Sequence, residues 1–341
     1  IPKSSVNTQS RRLLSEAICL TDCDTAFENL ARELLFQFVP LSYVEGYKEL
    51  NNVVDNANLP ENPKSIFTTT SYADDDVFNF YTAKKVEMGS KLIVVQHGGH
   101  DGTTPIRSTK HAVSISDNFF SWGWSDPEEP KIKPLGNLTY HGGHYKHNPN
   151  GKAILLEYDT PRYAYAIMNI VISSQWLNYF QSQKRFIYSL PPEIRKQTVA
   201  RVSQTKNGWH SLQRFKEFTP GLLVQNTKKS VRLIFKDARI SICTYNSTSI
   251  IEAMHWNFPV LAYWNEEHWE LNKDASEHFK RFKEVGIFHD NPESAGAKLS
   301  EIWDNVGAWW FSEEVQTARN LFCEHYSKSI QNPDSKIFNK L

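Results

Sequence analysis

The clearest pattern in the chain is an apolar run that leads directly into a glycine-rich polar turn, at residues 91–104 with the sequence KLIVVQHGGHDGTT. The run at residues 92–95 contains no polar position, which is typical of a strand buried on both faces. The turn contains two adjacent glycines, two histidines and a carboxylate. Because ligands of open α/β sheets bind beyond the carboxyl ends of the strands, this turn is predicted to meet a ligand.

Before this turn, the pattern predicts a strand, a helix and a second strand. Residues 65–70, SIFTTT, fit a short strand, and the spacing of apolar residues at 77–83 fits a helix that leads to the run at 92–95. The acidic triplet at 74–76 is expected to place negative charge at the start of that helix, with metal binding as the alternative. Further upstream, apolar residues recur at helical spacing from Phe27 to Phe38, behind a cap at Asp24.

The second half of the chain repeats the alternation of strands and helices. The predicted strands lie within 111–124, 152–159, 198–202, 240–244 and 286–289, with another opening at Pro259, and the predicted helices lie at 162–189, 230–235 and 250–256 and through most of 266–341. Residues 125–150 resemble a linker, and residues 206–215 resemble a loop. Trp303, Trp309, Trp310 and Phe311 are expected to pack the last helices across the domains. The interpretation is an α/β protein with one domain at 1–150 and another at 151–341.

Composition supports a globular protein with a substantial core, because 40% of the 341 residues are hydrophobic. Lys plus Arg equals Asp plus Glu at 38 each, so overall charge gives no reason to expect nucleic acid or membrane as a partner. Aromatic residues make up 13% of the chain, which is compatible with stacking on sugar rings as well as with ordinary core packing.

The four cysteines, Cys19, Cys23, Cys243 and Cys323, have no zinc-ligand spacing and are too few for a disulfide scaffold, so a reducing cytoplasm is expected. His141, His144 and His147 lie near one another in the predicted linker, but their spacing matches no standard ligand set and no metal is expected. No apolar run reaches the length of a membrane span, and the start does not resemble a signal peptide. Since the first residue is Ile1, a true N-terminus upstream is expected.

A second polar turn, at residues 245–249 with the sequence YNSTS, lies between a predicted strand and a predicted helix. Hydroxyl side chains and unpaired backbone amides at a helix start form a site that fits a phosphate. The alternative is a capping function without any ligand, in which Ser249 and Glu252 form a capping box. The sequence leaves both interpretations open.

Several motifs in a fixed order resemble a family of transferases encoded in bacterial O-antigen clusters. The motifs are QHGG at 96–99, WGW at 122–124, a strand that ends in Arg201, and NSTSIIE at 246–252. The second half also resembles the nucleotide-sugar half of GT-B glycosyltransferases, with the bacterial β-Kdo transferases, which retain the donor configuration, as the nearest in kind. The resemblance implies two Rossmann-like domains facing a central cleft. Family members often carry an aromatic residue at position 101, so the role of Asp101 is left open.

The resemblance implies transfer of a sugar, most simply Kdo or a related ulosonic acid from its CMP donor, to a glycan acceptor during synthesis of O-antigen, lipopolysaccharide or capsule. Asp101 is the candidate nucleophile, and His97 or Glu45 the candidate base. The donor would be held by the following residues: Gly98, Gly99, Arg201, Tyr245, Asn246, Ser247, Thr248, Ser249 and Glu252. No cofactor or metal is expected.

Three alternatives to this assignment stay open at the level of sequence. Asp101 could be only the first residue of an Asp-Gly turn. The donor could be a UDP- or GDP-sugar or a polyol phosphate. The chain could also be a non-catalytic module of GT-B type that binds a glycan. The expected location is the cytoplasm, at the inner face of the inner membrane if the acceptor is lipid-linked, in peripheral association with a membrane assembly complex and without nucleic acid.

Overall fold

The computed structural model describes residues 4–17, 25–105, 107–138, 147–163, 171–203, 207–219, 221–227 and 229–330, apart from the side chains of 32, 33, 107 and 108. Packing groups the chain into two units. Unit 1 contains residues 1–95 and 115–117, and unit 2 contains residues 96–114 and 118–341. The predicted division after residue 150 is a different one and stays a prediction.

Unit 1 combines a helical N-terminal part with a βαβ segment. Its helices are α1 (Thr8–Ala17), α2 (Ala26–Phe38), α3 (Tyr47–Asp55), α4 (Ser71–Asp74) and α5 (Asp76–Glu87), and its strands are β1 (Ser65–Thr68) and β2 (Lys91–Val95). Strands β1 and β2 are parallel, with Ser65 opposite Lys91, and α5 lies between them in the chain. The predicted strand, helix and strand are therefore confirmed.

Side-chain caps define where two helices of unit 1, α2 and α5, begin. Thr25 caps α2, because its side chain accepts a hydrogen bond from the amide of Glu28 while the Glu28 carboxylate reaches back to the amide of Thr25. The cap predicted at Asp24 is thus one residue too early. Asp75 caps α5 by accepting a hydrogen bond from the amide of Phe78 at 3.0 Å, which gives this member of the acidic triplet a capping function.

Unit 2 is built on a parallel sheet with helices on the connections. Its strands are β3 (Asn118–Ser121), β4 (Ile132–Pro134), β5 (Lys152–Leu156), β6 (Thr198–Arg201), β7 (Leu223–Gln225), β8 (Ala238–Cys243), β9 (Val260–Tyr263) and β10 (Phe288–His289). Its helices are α6 (Arg107–Ile115), α7 (Ser173–Ser189), α8 (Pro192–Lys196), α9 (Ser211–Phe218), α10 (Val231–Phe235), α11 (Thr248–His255), α12 (Lys273–Glu284), α13 (Pro292–Ile302), α14 (Val306–Trp310) and α15 (Glu313–Tyr326). The six-stranded sheet has the order β10-β9-β8-β5-β6-β7. The α/β class is confirmed.

The centre of this sheet sets the position of the polar turns. Strands β5 and β8 are mostly apolar and mostly buried, as expected for parallel strands covered on both faces. Leu156 in β5 is opposite Arg201 in β6 on one side and Cys243 in β8 on the other. The residues that follow β5, β6 and β8 therefore lie at the same edge of the sheet.

Several predicted elements differ from the structure for a physical reason. Residues 107–115 form α6 instead of the start of a strand, because Ala112, Val113 and Ser116 are buried at helical spacing. Residues 211–218 form α9 instead of a loop, with Ser211 and Phe215 buried one turn apart. The predicted linker contains β4, and β7 has no predicted counterpart because it is a short, largely exposed strand.

Some expectations concern single residues. Trp310 is fully buried, whereas Phe311 is half exposed, and the packing of these residues across the domains stays a prediction. Cys243 and Cys323 are free thiols, while Cys19, Cys23, His141 and His144 lie outside the described residues. Across the described ranges, no helix combines the length and hydrophobicity needed to cross a bilayer.

Candidate functional site

The turn after β2, here called the HGG loop (residues 96–104), is held by one buried amide side chain. Gln96 is 3% exposed. Its Nε2 donates to the carbonyl oxygens of Gly98 at 2.8 Å and Asp101 at 3.2 Å. Its Oε1 accepts from the backbone amide of Trp122 at 2.7 Å and the indole nitrogen of Trp124 at 2.9 Å. Gln96 therefore makes two hydrogen bonds within the HGG loop and two to the WGW segment, and so connects them.

Two glycines allow the HGG loop to approach its neighbours closely. Gly102 has φ +82°, and a β-carbon there would lie 2.5 Å from the indole of Trp124. A β-carbon on Gly99 would lie 2.8 Å from the backbone nitrogen of Thr248 and 2.8 Å from the side chain of Ile251. The amide of Gly99 donates to the hydroxyl of Thr248 at 3.1 Å. Gly99 thus packs directly on the first turn of α11.

Asparagine and threonine side chains extend this contact into a buried polar network. The Nδ2 of Asn246 donates to the hydroxyls of Thr103 at 3.3 Å and Thr104 at 3.0 Å. The amide of Asn272 donates to the carbonyl of Thr103 at 2.9 Å, and its side chain donates to Gly102 at 2.9 Å. The side-chain oxygen of Asn246, Oδ1, is buried and has no hydrogen-bond partner among the described residues. Thr103, Thr104 and Asn272 were not predicted as site residues.

The start of α11 does not have the predicted capping box. The helix begins at Thr248 with Ser247 as its N-cap, and no side chain caps it. The hydroxyl of Ser249 lies 3.2 Å from the phenol oxygen of Tyr245. The capping function assigned to Ser249 and Glu252 is therefore wrong, since the polar turn ends at Ser247, two residues earlier than the sequence suggested. The hydroxyl of Ser247 makes no capping bond.

Arg201 lies at the same sheet edge as the YNSTS turn. Its Nη2 donates to the carbonyl of Lys229 at 3.1 Å, and its Nε is buried without a partner in the described part of the chain. Burial raises the pKa of the Tyr245 phenol, and the positive charge of Arg201 opposes that shift. Arg201 and Tyr245 therefore lie close enough to interact electrostatically.

Asp101 and His100 occupy the middle of the HGG loop. Burial raises the pKa of the Asp101 carboxyl, and hydrogen bonds from the hydroxyl of Thr109 and the amides of Gly98 and His97 oppose that shift. Burial also lowers the pKa of His100 to about 4, so its imidazole is neutral at pH 7. By contrast, the side chain of His97 is exposed. Asp101 thus stabilises its own turn, and any nucleophilic role stays a prediction.

Glu45 lies in unit 1 and is ion-paired. Its carboxylate accepts hydrogen bonds from the Arg11 guanidinium at 2.7 Å and 2.8 Å and from the amide of Asn7 at 2.8 Å. The Arg11 hydrogen bond, followed by the Asn7 amide, lowers the pKa of Glu45 to about 2. This contact holds α1 in place, and the role of Glu45 as a base stays a prediction.

Two further carboxyls follow β5, where the sequence showed only a polar strand end. Burial raises the pKa of Glu157 to about 8, with a contribution from the nearby Asp159, and burial raises the pKa of Asp159 to about 6. Glu157 Oε1 and Asp159 Oδ1 are buried without hydrogen-bond partners among the described residues. Asp159 lines a cavity of about 1080 Å³, together with Ser203, Ser211 and Asn226.

A metal centre is not evident in the described ranges, where no group of three or more His, Cys, Asp or Glu residues is placed to hold an ion. The described part of the site is therefore made of amides, hydroxyls, Arg201 and the buried carboxyls. This composition suits an anionic, hydroxylated ligand.

A family comparison assigns the whole chain. Residues 2–341 match the LIC12162 family of transferases. The chain belongs to this family. No curated protein matches the chain.

Three glycosyltransferases are among the solved structures that are similar to the chain. A UDP-glucosyltransferase from Polygonum tinctorium that glucosylates indoxyl is 10% identical, covers 94% of this chain and 86% of its own, and has a TM-score of 0.44. The spinosyn rhamnosyltransferase SpnG is 10% identical, with coverages of 98% and 82% and a TM-score of 0.44. WaaG, a glycosyltransferase of lipopolysaccharide biosynthesis, is 12% identical, with coverages of 94% and 84% and a TM-score of 0.36.

The contact of Gly99 with α11 predicts different effects for two adjacent glycines. Gly99→Ala should lower the free energy of unfolding by about 2–4 kcal/mol, because its β-carbon would collide with backbone atoms that cannot move independently. Gly98→Ala is the matched control, since a β-carbon there would lie 3.5 Å from Thr248 Oγ1, an ordinary contact. Urea denaturation measures both variants. Equal stability of the two variants would contradict the close packing.

The buried carboxyl of Glu157 predicts a pH-dependent stability. Since its pKa is raised to about 8 in the folded protein, the folded state binds more protons than the unfolded state between pH 4.5 and 8, and stability should fall as pH rises through this window. Glu157→Gln should be more stable than the parent at pH 9, by on the order of a few kcal/mol.

The control for Glu157→Gln is Glu217→Gln. Glu217 lines the same cavity, but its carboxylate is exposed and accepts a hydrogen bond from Gln213 at 2.7 Å. This variant should keep the pH dependence of the parent in thermal denaturation at pH 5, 7 and 9. A Glu157→Gln variant that loses stability with pH as steeply as the parent would show that Glu157 is not the responsible group.

Proposed function

We propose that the chain is a glycosyltransferase of GT-B type that transfers a sugar from a nucleotide donor to a glycan acceptor in surface-polysaccharide synthesis. The observation that carries this proposal is the packing of Gly99 on the first turn of α11. It places the HGG loop, which contains acid and base groups, against the start of α11. This helix has eight residues, and the side chain of its N-cap residue makes no capping hydrogen bond. The family membership supports the transfer reaction itself.

The proposed phosphate site is the start of α11 together with Arg201. Backbone amides at a helix start carry partial positive charge and bind phosphate oxygens. Ser247 and Thr248 are partly exposed, so their hydroxyls are accessible to a ligand. The unpartnered Nε of Arg201 supplies a charged donor at the same sheet edge. Glu252 lies one turn into α11, where it would order the helix start or bind ribose.

A CMP-activated ulosonic acid, with Kdo as the first candidate, is the proposed donor. Its anomeric carbon carries a carboxylate and the phosphate, so the site must stabilise two anions and a cationic transition state. Amides of the HGG loop near Gly98 would receive the sugar carboxylate. A donor of this kind requires no metal for departure of CMP, provided Arg201 and the helix start neutralise the leaving phosphate.

Retention would proceed in two displacements. The Asp101 carboxylate attacks the anomeric carbon as the bond to CMP breaks, which gives a glycosyl ester. The acceptor hydroxyl then attacks the same carbon, His97 takes its proton, and Asp101 leaves. The raised pKa of Asp101 is compatible with a nucleophile in a partly desolvated position. The acceptor is proposed to be a glycan, lipid-linked and presented at the inner face of the inner membrane.

Donor binding can be measured without knowledge of the acceptor. CMP should raise the Tm of the protein more than UMP or GMP does. Arg201→Ala should weaken the affinity for CMP more than tenfold, because it removes a charged donor to phosphate. Lys196→Ala, at an exposed position on α8, is the control. If UMP or GMP binds instead and Arg201 matters equally, the donor base is wrong but the phosphate site stands.

Catalysis by Asp101 can be separated from its function in the turn. Asp101→Asn keeps the size of the side chain and its ability to accept a hydrogen bond from Thr109, so the fold should be retained, yet transfer should fall at least 1000-fold because an amide cannot act as the nucleophile. Asp101→Ala should lose both stability and transfer. Transfer by Asp101→Asn within a few-fold of the parent would remove Asp101 from catalysis and leave it as a turn residue.

A further inference from the structure

Helix α2 of unit 1 carries an apolar stripe that faces solvent. Phe27 and Phe38 are each 77% exposed, Leu30 is 52% exposed and Leu35 is 46% exposed. With Ala31 and Leu34, these residues follow the spacing i, i+3, i+4, i+7, i+8 and i+11, which is one face of a helix. The α2 face is defined here as Phe27, Leu30, Ala31, Leu34, Leu35 and Phe38. Phenylalanines this exposed at both ends of one face need a partner.

The size of the α2 face fits one half of a protein interface. A phenylalanine side chain presents about 200 Å², so the six residues together expose roughly 500 Å² of mostly apolar surface. Monomeric proteins seldom expose more than a few hundred Å² in one patch. Two copies of the face would bury about 1,000 Å² before any polar rim is counted, which reaches the lower limit of a specific interface.

The charges on α2 favour protein over lipid as the partner. The helix contains one arginine and two glutamates and no lysine. A helix that lies on an anionic membrane is instead rich in Lys and Arg on its polar face. In the neighbouring α1, Arg11 is used in the ion pair with Glu45, and Arg12 lies 2.9 Å from Glu16. Both arginines of α1 are therefore paired with carboxylates.

The order of side-chain sizes along the α2 face is symmetric about its centre at the two outer pairs, and only the middle pair, Ala31 and Leu34, differs in size. The largest residues, Phe27 and Phe38, lie at the two ends, leucines at 30 and 35 come next, and positions 31 and 34 lie in the middle. In an antiparallel pair of identical helices related by a two-fold axis, each position meets its mirror position: Phe27 meets Phe38, Leu30 meets Leu35, and Ala31 meets Leu34. The small Ala31 side chain then allows the two helices to approach closely at the crossing.

A groove at one end of α2 provides space for the second copy. It has a volume of about 370 Å³ and is lined by Leu34, Leu35, Phe38, Val39 and Pro40, with Ala31 at its edge. The antiparallel arrangement brings Phe27 of the second copy to this end of the helix. An aromatic side chain that enters an apolar groove is the usual anchor of such an interface.

We propose that the α2 face binds the α2 face of a second copy of this chain, in an antiparallel pair with two-fold symmetry. The pair buries Phe27 of each copy in the groove beside Phe38 of the other. This surface lies in unit 1, and it requires neither a donor nor an acceptor for the proposed transfer.

Charge substitutions test both the contact and its direction. Phe27→Glu lies at the start of α2 and Phe38→Lys at its end, so both new charges suit the helix dipole and should leave the helix intact. Each single variant should raise the dimer Kd at least 30-fold in analytical ultracentrifugation, since a charge enters an apolar contact. In the double variant Phe27→Glu/Phe38→Lys, opposite charges meet across the antiparallel pair, and the Kd should return to within about tenfold of the parent.

Two matched variants serve as controls. Phe27→Glu/Phe38→Glu places like charges opposite each other and should stay monomeric. Phe311→Glu, at an aromatic residue 51% exposed in unit 2, should leave the Kd unchanged. Circular dichroism checks that every variant keeps its helix content.

Three results would overturn the proposal: a parent chain that is monomeric at high micromolar concentration, a dimer that is insensitive to Phe27→Glu and Phe38→Lys, or the absence of rescue in the oppositely charged double variant. Flotation of the parent with neutral phosphatidylcholine vesicles, lost in Phe27→Glu, would assign the face to a lipid surface instead.

Discussion

The geometry of the candidate site depends on one buried amide, the side chain of Gln96. A buried primary amide must satisfy two donors and one acceptor group, and here the loop carbonyls and two tryptophan N–H groups satisfy them. Each partner is a backbone atom or a bulky indole, so the bonds fix positions along the whole HGG loop. An apolar residue at this position would remove all four hydrogen bonds, including the buried one to the amide of Trp122. The loop conformation thus depends on the hydrogen bonds of Gln96 together with the glycines at 99 and 102.

This constraint explains why three short motifs, distant in sequence, belong together. Gln96 aligns the loop with the WGW segment, and the loop alignment in turn places Gly99 against α11. Asn246 then links the YNSTS turn to Thr103 and Thr104. The HGG loop contacts this region at two points, through Gly99 on α11 and through the hydrogen bonds that Asn246 donates near the end of the loop. The start of α11 therefore cannot move without moving the loop. A rigid contact of this kind is what a site needs in order to hold a phosphate at a fixed distance from a reacting carbon.

Buried strands that are mostly apolar could be predicted from sequence, because burial on both faces leaves a local signal at β2, β5 and β8. Helices α6 and α9 could not, since short helices with few buried positions resemble loops or alternating strands until their packing partners are known. At the site, the YNSTS turn and the HGG loop were visible as polar breaks after strands. The partners that connect them, Thr103, Thr104 and Asn272, gave no local signal because their contacts are made by residues far apart in the chain.

The same limit applies to carboxyl groups, whose chemistry depends on what surrounds them. Glu45 has a strongly lowered pKa because Arg11 lies against it, whereas Glu157 has a raised pKa because it is buried beside Asp159 without a cation. Nothing in the residues next to Glu45 or Glu157 in the sequence distinguishes these two environments. Burial also raises the pKa of Asp101, while hydrogen bonds from Thr109 and its own loop amides oppose that shift. These hydrogen bonds hold the carboxylate in place, and burial keeps its pKa raised. A structural role and a catalytic role are therefore compatible at this residue.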